Sequence, residues 1–444
     1  MSFRILKLSD IEETYQKVAS LLDRDVKVIG NRTGWHQYLG ESKVGEVATA
    51  QGILILFYLS RHHRLLPALL TTLREAQFQG KDIEDRGGWA MLSSHHTPTL
   101  EPTAWAILSL LAGKESVHSK TILLGAEWIK RNQNPDGGWG PRKNLRSRLY
   151  STFLACRCIS AIESSFSLQD SDYFRNAAQW VLGCQNVDGG WGAYLGETST
   201  AVHTAFALVM LSGLAIDYSA RQKIQRGIRF LYKQWNPQTS WEHTQRIEQY
   251  ELPEGELAWT RVSFQYFPTA WAITALLAAG ESIFREPIFS GVKWIIRSQN
   301  PDGSWALDGV SRNRLWAVHD AVMAIHSFLN KAISTQTIDR MILLDNVLIL
   351  TEGHHGRGLA RLAFLLSGLL ILIGIILGAV LGSATGLHQY VGPWLRMYWA
   401  WILLIIYVAS VIPLALLKVL SWKEAIIGII FPISLVIVQV FLKP

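Results

Sequence analysis

Apolar and polar positions along this chain fall into two alternating textures. Stretches such as Thr103-Ala-Trp-Ala-Ile-Leu-Ser-Leu-Leu and Thr204-Ala-Phe-Ala-Leu-Val-Met-Leu are apolar on every side, which marks a helix buried all round. Each is followed by a more polar stretch, as in Ala126-Glu-Trp-Ile-Lys-Arg and Gly291-Val-Lys-Trp-Ile-Ile-Arg, whose apolar residues keep to one face. The alternation restarts at Thr49, Thr103, Thr152, Thr204, Thr269 and Asp320. It predicts six hairpins, each an inner buried helix followed by an outer amphipathic one.

A marker stands at each junction. Tryptophan recurs at Trp35, Trp89, Trp139, Trp191, Trp241 and Trp305, at intervals of 50 to 64 residues. A period of that size signals a repeat architecture. Three copies share a longer string: QNPDGGW from Gln133, QNVDGGW from Gln185 and QNPDGSW from Gln299. The Gly pair reverses the chain, with Asn-Pro-Asp as turn chemistry ahead of it. The Trp is expected to cover the junction between hairpins, and the Gln amide to satisfy helix-end groups. Six inner and six outer helices suffice to close a ring, and closure removes the need for polar capping repeats. The expected fold is therefore all-α: a single (α/α)6 toroid over residues 30–350, with a lead-in at 1–29. The fifth repeat carries an acidic insert with Pro253 and Gly255, expected to form a loop beside the mouth of the ring.

After residue 350 the texture changes. Leu362–Leu381, Met397–Leu417 and Ala425–Leu442 are uncharged apolar runs, near the ~20 residues that span a bilayer. Residues 351–444 thus read as a membrane domain with three transmembrane helices; for the shorter third run, a re-entrant or interfacial placement is the alternative. Arg357, Arg361, Lys418 and Lys423 flank the spans on one side, against Arg396 and Lys443 on the other. That bias puts the ring on the cytoplasmic face. The opening residues turn acidic and polar too early for a signal-peptide core. Composition agrees: 49% of residues are hydrophobic and only 17% charged, against roughly 25% charged in an average globular protein. The net charge of +7 suits an anionic membrane surface or ligand. With no basic, aromatic-interleaved stripe and no zinc-finger spacing, nucleic acid is not an expected partner. Cys156, Cys158 and Cys184 are too few and too odd for a disulfide framework, which fits a reducing compartment.

The QNPDGGW strings resemble the QW motifs of the terpene cyclase and protein prenyltransferase superfamily, and the resemblance covers residues 30 to 330. It implies an α/α toroid and an isoprenoid ligand, and it is more specific for fold than for chemistry. Class II cyclases carry a DxDD motif before a Thr-Ala helix opening, whose central Asp protonates a double bond or an epoxide. The matching string here is Thr99-Leu-Glu-Pro-Thr103-Ala. It sets Glu101 in the place of the central Asp, with Thr and Pro where the partners would be. The other reading of Glu101 is an acid in a helix's first turn, favoured by the dipole, with Pro102 suiting the helix start. Prenyltransferases hold zinc through Asp, Cys and His. No Asp-x-Cys pair exists, and Cys156 and Cys158 lie two apart in a helix, on different faces. Neither a metal nor another cofactor is expected.

The register places Glu46, Glu101, Tyr150, His203, Tyr266 and His319 around one mouth, with Asp320 in place of the usual Thr. His203, His319 and Asp320 join Glu101 as candidate acid/base residues; hydrogen-bonded structural or capping roles are the alternative. Arg142, Lys143, Arg146 and Arg148 lead into the third inner helix, and Arg312 and Arg314 into the sixth. Guanidinium forks near helix N-termini suit a diphosphate, with lipid headgroups or solvent as the alternative. Trp105, Trp259, Tyr266 and Trp271 are candidates to stabilise carbocations. Two functions emerge. One is a membrane-anchored, cyclase- or prenyltransferase-like protein that binds or processes a polyprenyl or triterpene-like lipid, as an isomerase/lyase or a prenyl-transferring enzyme. The other is a non-catalytic toroid, tethered to the membrane, that binds a lipid or a protein partner.

Overall fold

A computed structural model describes residues 4–80, 82–91, 97–163, 172–213, 218–242, 248–253, 259–307, 313–334, 342–344 and 347–350. The chain divides into two compact units, residues 1–5 with 335–444, and residues 6–334. A short strand, β1 (Arg4–Lys7), leads the chain. The three predicted spans at 362–381, 397–417 and 425–442 lie outside the described residues; among the described residues no helix is long and apolar enough to cross a membrane.

The unit of residues 6–334 is the ring. Its inner helices are α2 (Glu46–Tyr58), α4 (Leu100–Ala112), α6 (Leu149–Glu163), α8 (Ala201–Ser212), α10 (Pro268–Ala278) and α12 (Leu315–Ser334). They are enclosed as their texture predicts: every residue of α2 except Phe57 is buried. Each packs on the next, and α12 packs back on α2, so the ring closes. The outer helices are α1 (Leu8–Asp25), α3 (Leu66–Glu75), α5 (Lys120–Arg131), α7 (Asp172–Gly183), α9 (Tyr218–Gln234) and α11 (Glu286–Arg297). Their burial is one-sided; α5 buries Ile122, Gly125, Ala126, Trp128 and Ile129, a single stripe at helical spacing.

The N-terminal segment corrects one expectation. Residues 8–25 are not a lead-in but α1, which packs on α11 as the outer helix beside α12. The hairpins are therefore not six consecutive inner–outer pairs. The last inner helix has its outer neighbour at the other end of the chain. Gln299 Nε2 donates to the Thr14 carbonyl at 3.1 Å, and Trp35 Nε1 to the Leu22 carbonyl at 3.1 Å.

The tryptophan repeat has one geometry throughout. Each indole N–H donates to a carbonyl in the last turn of the preceding outer helix, at 2.7–3.1 Å. Four of those carbonyls also accept a donor from just beyond the helix, the backbone N–H of Val26, Asn132 or Cys184 or the Ser298 hydroxyl, and the indole takes their second lone pair. The Trp, not the Gln, does this capping. The Gln amide instead ties its motif to the following outer helix, with Gln77, Gln133, Gln185 and Gln299 donating to carbonyls of Thr121, Tyr173, Lys223 and Thr14 at 2.8–3.1 Å. In five repeats the backbone N–H of the Trp donates to a Thr hydroxyl of the next inner helix (Thr49, Thr103, Thr152, Thr204 or Thr269) at 2.9–3.3 Å. The chain reversal needs glycine at Gly137: φ is 91°, and a Cβ would lie 2.6 Å from the Asn176 carbonyl oxygen.

Two hairpins of β-structure decorate the ring. β2 (Lys27–Ile29) pairs with β3 (Arg32–Gly34) ahead of α2. The insert of the fifth repeat, expected as a loop, contains an antiparallel hairpin of β4 (Glu248–Pro253) and β5 (Trp259–Phe264), with Glu248 opposite Phe264. In the unit of residues 335–444, the described part is the hairpin of β6 (Ile342–Leu344) and β7 (Val347–Leu350).

Candidate functional site

Inner helices buried all round leave no solvent for polar side chains that point inward, so each such group must find a partner in the ring. Glu101 stands in the first turn of α4, as an acid favoured by the dipole would. Its carboxyl nonetheless turns inward. Tyr150, from the first turn of α6, donates its hydroxyl to Glu101 Oε1 at 3.0 Å, and Trp105 Nε1 donates to that same Tyr150 oxygen at 3.3 Å. Glu101 Oε2 is shielded from solvent and has no hydrogen-bond partner among the described residues. Burial pushes the Glu101 pKa up to about 7, against the opposing pull of the Tyr150 hydroxyl, the Arg148 guanidinium and the Trp105 indole. Asp320 adds a smaller push in the same direction, so the two acids feel each other across the ring. Burial also drives the Tyr150 phenol well above its ordinary value, helped by the neighbouring Glu101.

The second acid is Asp320 on α12, at the position that holds Thr in the other five repeats. Its Oδ2 accepts from Trp271 Nε1 at 2.8 Å, and its Oδ1 lies 3.0 Å from His319 Nδ1. Burial raises Asp320 and lowers His319, with the pair's own contact opposing both shifts. A lowered His319 is neutral at pH 7, and its Nδ1 faces a carboxyl oxygen. The hydrogen-bond network therefore assigns the ring proton to Nδ1 and leaves a lone pair on Nε2. That Nε2 has no hydrogen-bond partner among the described residues.

Aromatic rings pack around these groups. Trp105 meets His319 edge to face at 4.9 Å. Trp271 meets Phe153 at 5.4 Å and Phe206 at 4.9 Å. Tyr150 contacts Phe206 and Tyr266, each at 5.1 Å, and Phe264 at 5.6 Å. The β-hairpin insert thus delivers Phe264, at the end of β5, into the wall beside Tyr266. His203 sits in the same cluster, 5.8 Å from Tyr266. The Thr200 hydroxyl accepts from the His203 backbone N–H at 3.2 Å and lies 2.7 Å from Nδ1, so the imidazole is held by its own helix cap.

The arginines do not gather into one cradle. Arg142 pairs with Asp85 at 2.9 Å, and Arg146 donates to the Leu195 carbonyl at 3.2 Å while lying 4.3 Å from the Tyr194 ring. Arg314 lies 3.7 Å from the Tyr38 ring, at the seam between α2 and α12. Arg148 alone is fully enclosed, over the Phe264 ring at 5.0 Å. Arg312 lies outside the described residues, and nothing is described of the Trp259 side chain. Glu46 is spoken for by Arg32 at 2.6 Å. Cys156 and Cys158 are both enclosed, with burial raising both thiols, so spacing by two did not send either to the surface. Among the described residues no group of three His, Cys, Asp or Glu is placed to hold a metal ion.

One polar side chain of this interior was passed over by the sequence reading. Arg157, on α6 between the two cysteines, lies 5.6 Å from the Trp105 ring, and its Nη2 donates to the Tyr58 hydroxyl at 3.3 Å. A guanidinium in the middle of an inner helix, amid an otherwise apolar texture, was the available signal.

Two family models match the chain: the squalene-hopene cyclase C-terminal domain over residues 126–254, and the prenyltransferase alpha-alpha toroid domain over residues 205–343. A squalene–hopene cyclase of Bradyrhizobium diazoefficiens is 28% identical over 189 residues, which are 36% of this chain and 28% of that protein. Another, from Zymomonas mobilis, is 22% identical over 246 residues, 50% of this chain and 36% of that one. The chain thus matches only a minor part of these relatives' lengths. Among solved structures, a type II terpene cyclase from Scytonema, in complex with geranylgeranyl dihydroxybenzoate, superposes with a TM-score of 0.51 at 13% identity, covering 73% of this chain and 98% of that one.

Proposed function

The ring is an α/α toroid of the terpene cyclase and prenyltransferase superfamily, and from that premise we propose that it binds an isoprenoid in its centre and rearranges it by proton-initiated chemistry, with Glu101 as the acid. One observation carries the reading: Glu101 is a carboxyl whose pKa burial lifts to about 7, so that a substantial share of it keeps its proton at neutral pH, among aromatic rings, with one oxygen tied and the other untied.

The chemistry runs from that geometry. Tyr150 donates to Oε1, so the acid proton resides on Oε2. The Oε2–H bond breaks and its proton adds to a terminal double bond or an epoxide oxygen of the isoprenoid. The electron pair stays on the carboxylate, which Tyr150 and Trp105 then stabilise, with Arg148 nearby. Burial keeps the proton in place until substrate arrives, and these donors ease its departure. The resulting tertiary cation lies among the faces of Trp105, Phe153, Phe206 and Trp271, whose quadrupoles favour positive charge. A neighbouring double bond supplies the electron pair that closes a carbon–carbon bond. Loss of a proton from the adjacent carbon, to a base such as His319 Nε2, ends the sequence with no net oxidation.

The test is turnover of geranylgeranyl and longer polyprenyl compounds by the purified full chain, followed by mass spectrometry of products. Glu101→Gln is expected to abolish product and keep the ligand bound. Undiminished product from that variant would sink the acid assignment. A second reading, a non-catalytic lipid-binding ring, draws on Asp320, whose two oxygens are both engaged within the protein. Under it, lipid is retained by wild type and variant alike, and neither changes it. The apolar runs at 362–381, 397–417 and 425–442 support a further part of the proposal: anchoring in a membrane with the ring on the cytoplasmic side. Retention in the membrane pellet after carbonate extraction, with protease access to the ring only from the cytoplasmic side, is the expected result.

A further inference from the structure

We propose that Asp320 is a positioning residue that fixes His319 as the base ending the reaction, and that this base, set across the single side chain of Trp105 from the acid, stops the isoprenoid after one new carbon–carbon bond, as a monocyclic isomer. This rests on the isoprenoid reading of the ring with Glu101 as its acid, and adds to it the end of the reaction and the class of product.

Two carboxyls share this interior, and they are tied differently. Glu101 accepts one hydrogen bond and keeps Oε2 untied. Asp320 has a partner on each oxygen, the Trp271 indole N–H at 2.8 Å and His319 Nδ1 at 3.0 Å. A donor on each oxygen favours the ionised form. Burial raises Asp320, while His319, Trp271 and Arg157 all pull it down, and the Asp320 charge in turn raises Glu101. Two acids pushed apart in this way divide into a proton donor and a standing charge. Asp320 lies beyond the first turn of α12, so it does not cap that helix. Its neighbour His319 is fully enclosed, with Nδ1 facing the carboxylate and an Nε2 lone pair that no group among the described residues takes. A carboxylate at Nδ1 holds the imidazole in the tautomer that can accept a proton, and stabilises the imidazolium that results. Burial lowers His319 most; Asp320 opposes that shift, and Arg157 on α6 adds to it. The remaining faces of the imidazole meet uncharged rings, Tyr58 of α2 at 5.8 Å and Trp105 of α4 at 4.9 Å.

Trp105 sets the spacing between acid and base. Its N–H donates to the Tyr150 oxygen at 3.3 Å, Tyr150 donates to Glu101 at 3.0 Å, and the same indole meets His319 edge to face. One side chain thus separates the acid's own partner from the base. The Glu101 proton adds to the terminal double bond and leaves a tertiary cation. The π pair of the neighbouring double bond closes a six-membered ring and passes the positive charge to its own far carbon. A C–H bond next to that carbon breaks; its electron pair becomes a new double bond and its proton goes to His319 Nε2. The substrate is isomerised with no net oxidation, and once product leaves, the imidazolium gives up its proton to solvent and the Glu101 carboxylate takes one back. A base farther round the ring would let the cation run on through further double bonds. At His319 the first cyclic cation already has an acceptor beside it.

The experiment is turnover of geranylgeraniol by the purified full chain, with products identified by mass spectrometry and NMR. Wild type is expected to give one-ring isomers of unchanged mass. Asp320→Asn should lower kcat at least tenfold with KM nearly unchanged, and Asp320→Glu should recover part of the loss. Because Asp320 raises both His319 and Glu101, its removal should move both limbs of the kcat–pH profile to lower pH, which loss of a merely structural residue would not do. His319→Phe should still consume substrate but divert it to polycyclic or hydrated products. The His319 titration followed by NMR is independent of turnover and should fall to lower pH in Asp320→Asn. If that variant fails to fold, the wild-type product and the Glu variant decide the matter. Polycyclic products from wild type, or pH limbs and a His319 titration that stay in place in Asp320→Asn, overturn the proposal. A wild type that turns nothing over overturns the product class, and the NMR titration then decides the positioning of His319. Undiminished product from Glu101→Gln sinks the acid alone, so the two failures show up in different measurements.

Discussion

Five inner helices of the ring carry a threonine where the sixth carries Asp320, and the two arrangements do different things. In the five, the hydroxyl takes the backbone N–H of the repeat tryptophan, so the residue faces its own junction. In the sixth, the carboxylate turns to a neighbouring inner helix and takes the indole of Trp271 and the imidazole of His319. The repeat builds the ring, and departures from it furnish the interior. Glu101 and Tyr150, each two residues before its helix's threonine, and Arg157, five after, are departures of the same kind, at places where most of the other copies are apolar.

Substitutions can break this contrast. Trp191→Ala removes a buried repeat tryptophan and is expected to cost about 3–5 kcal/mol of unfolding free energy. Denaturant melts should show it, with any activity falling only as the folded fraction falls. Glu101→Gln should act in the opposite sense. Its carboxyl is raised from 4.5 to about 7, so the folded state binds a proton more tightly than the unfolded one. The wild type's advantage is full below pH 4.5 and is lost as pH rises through 7, on the order of 3 kcal/mol in all. Thermal melts of the Gln variant against wild type over that range should diverge accordingly; parallel curves would remove the argument for a neutral Glu101.

Smaller effects sharpen the comparison. Asp320→Thr restores the repeat residue but strands the Trp271 indole, for a loss of about 1–3 kcal/mol with the ring still closed, checked by melts and by a shift in tryptophan emission. Tyr150→Phe should cost about 1 kcal/mol. It should also move the Glu101 titration still higher, because the hydroxyl now holds it down. A pH–rate profile or a carboxyl titration followed by infrared would register the direction.

The ring was legible because its signal is repeated: a helix that is apolar all round, then a one-sided one, then Gly and Trp. Closure and the aromatic walls followed from that texture. The parts that were not legible involve partners distant in sequence. Nothing local to residues 8–25 says that they complete the far end of the ring. Nothing local to the fifth-repeat insert separates a hairpin from a loop, since the alternation of its strands is short and charged. Glu101 was visible as an acid at a helix start, but its inward turn depends on Tyr150, 49 positions away. The loop arginines looked like one cluster because they are close in sequence; in space Arg146 and Arg148 share the Tyr194 ring, while Arg142 turns to Asp85 and Arg314 to Tyr38.

The outer helix that came first in the chain has a consequence for biosynthesis. The Gln299–Thr14 bond joins residues 285 positions apart, so although Trp35 and Arg61 reach one end of α1 early, its other contacts form only when nearly the whole ring has emerged. Until then the faces of α1 and α2 that turn to α11 and α12 have nothing to cover them, an intermediate prone to aggregate. Closure entropy is met before its contacts form, and folding should be slow for a helical protein, whose neighbours are usually close in sequence. A nascent chain arrested short of residue 299 should therefore remain an open, chaperone-dependent arc.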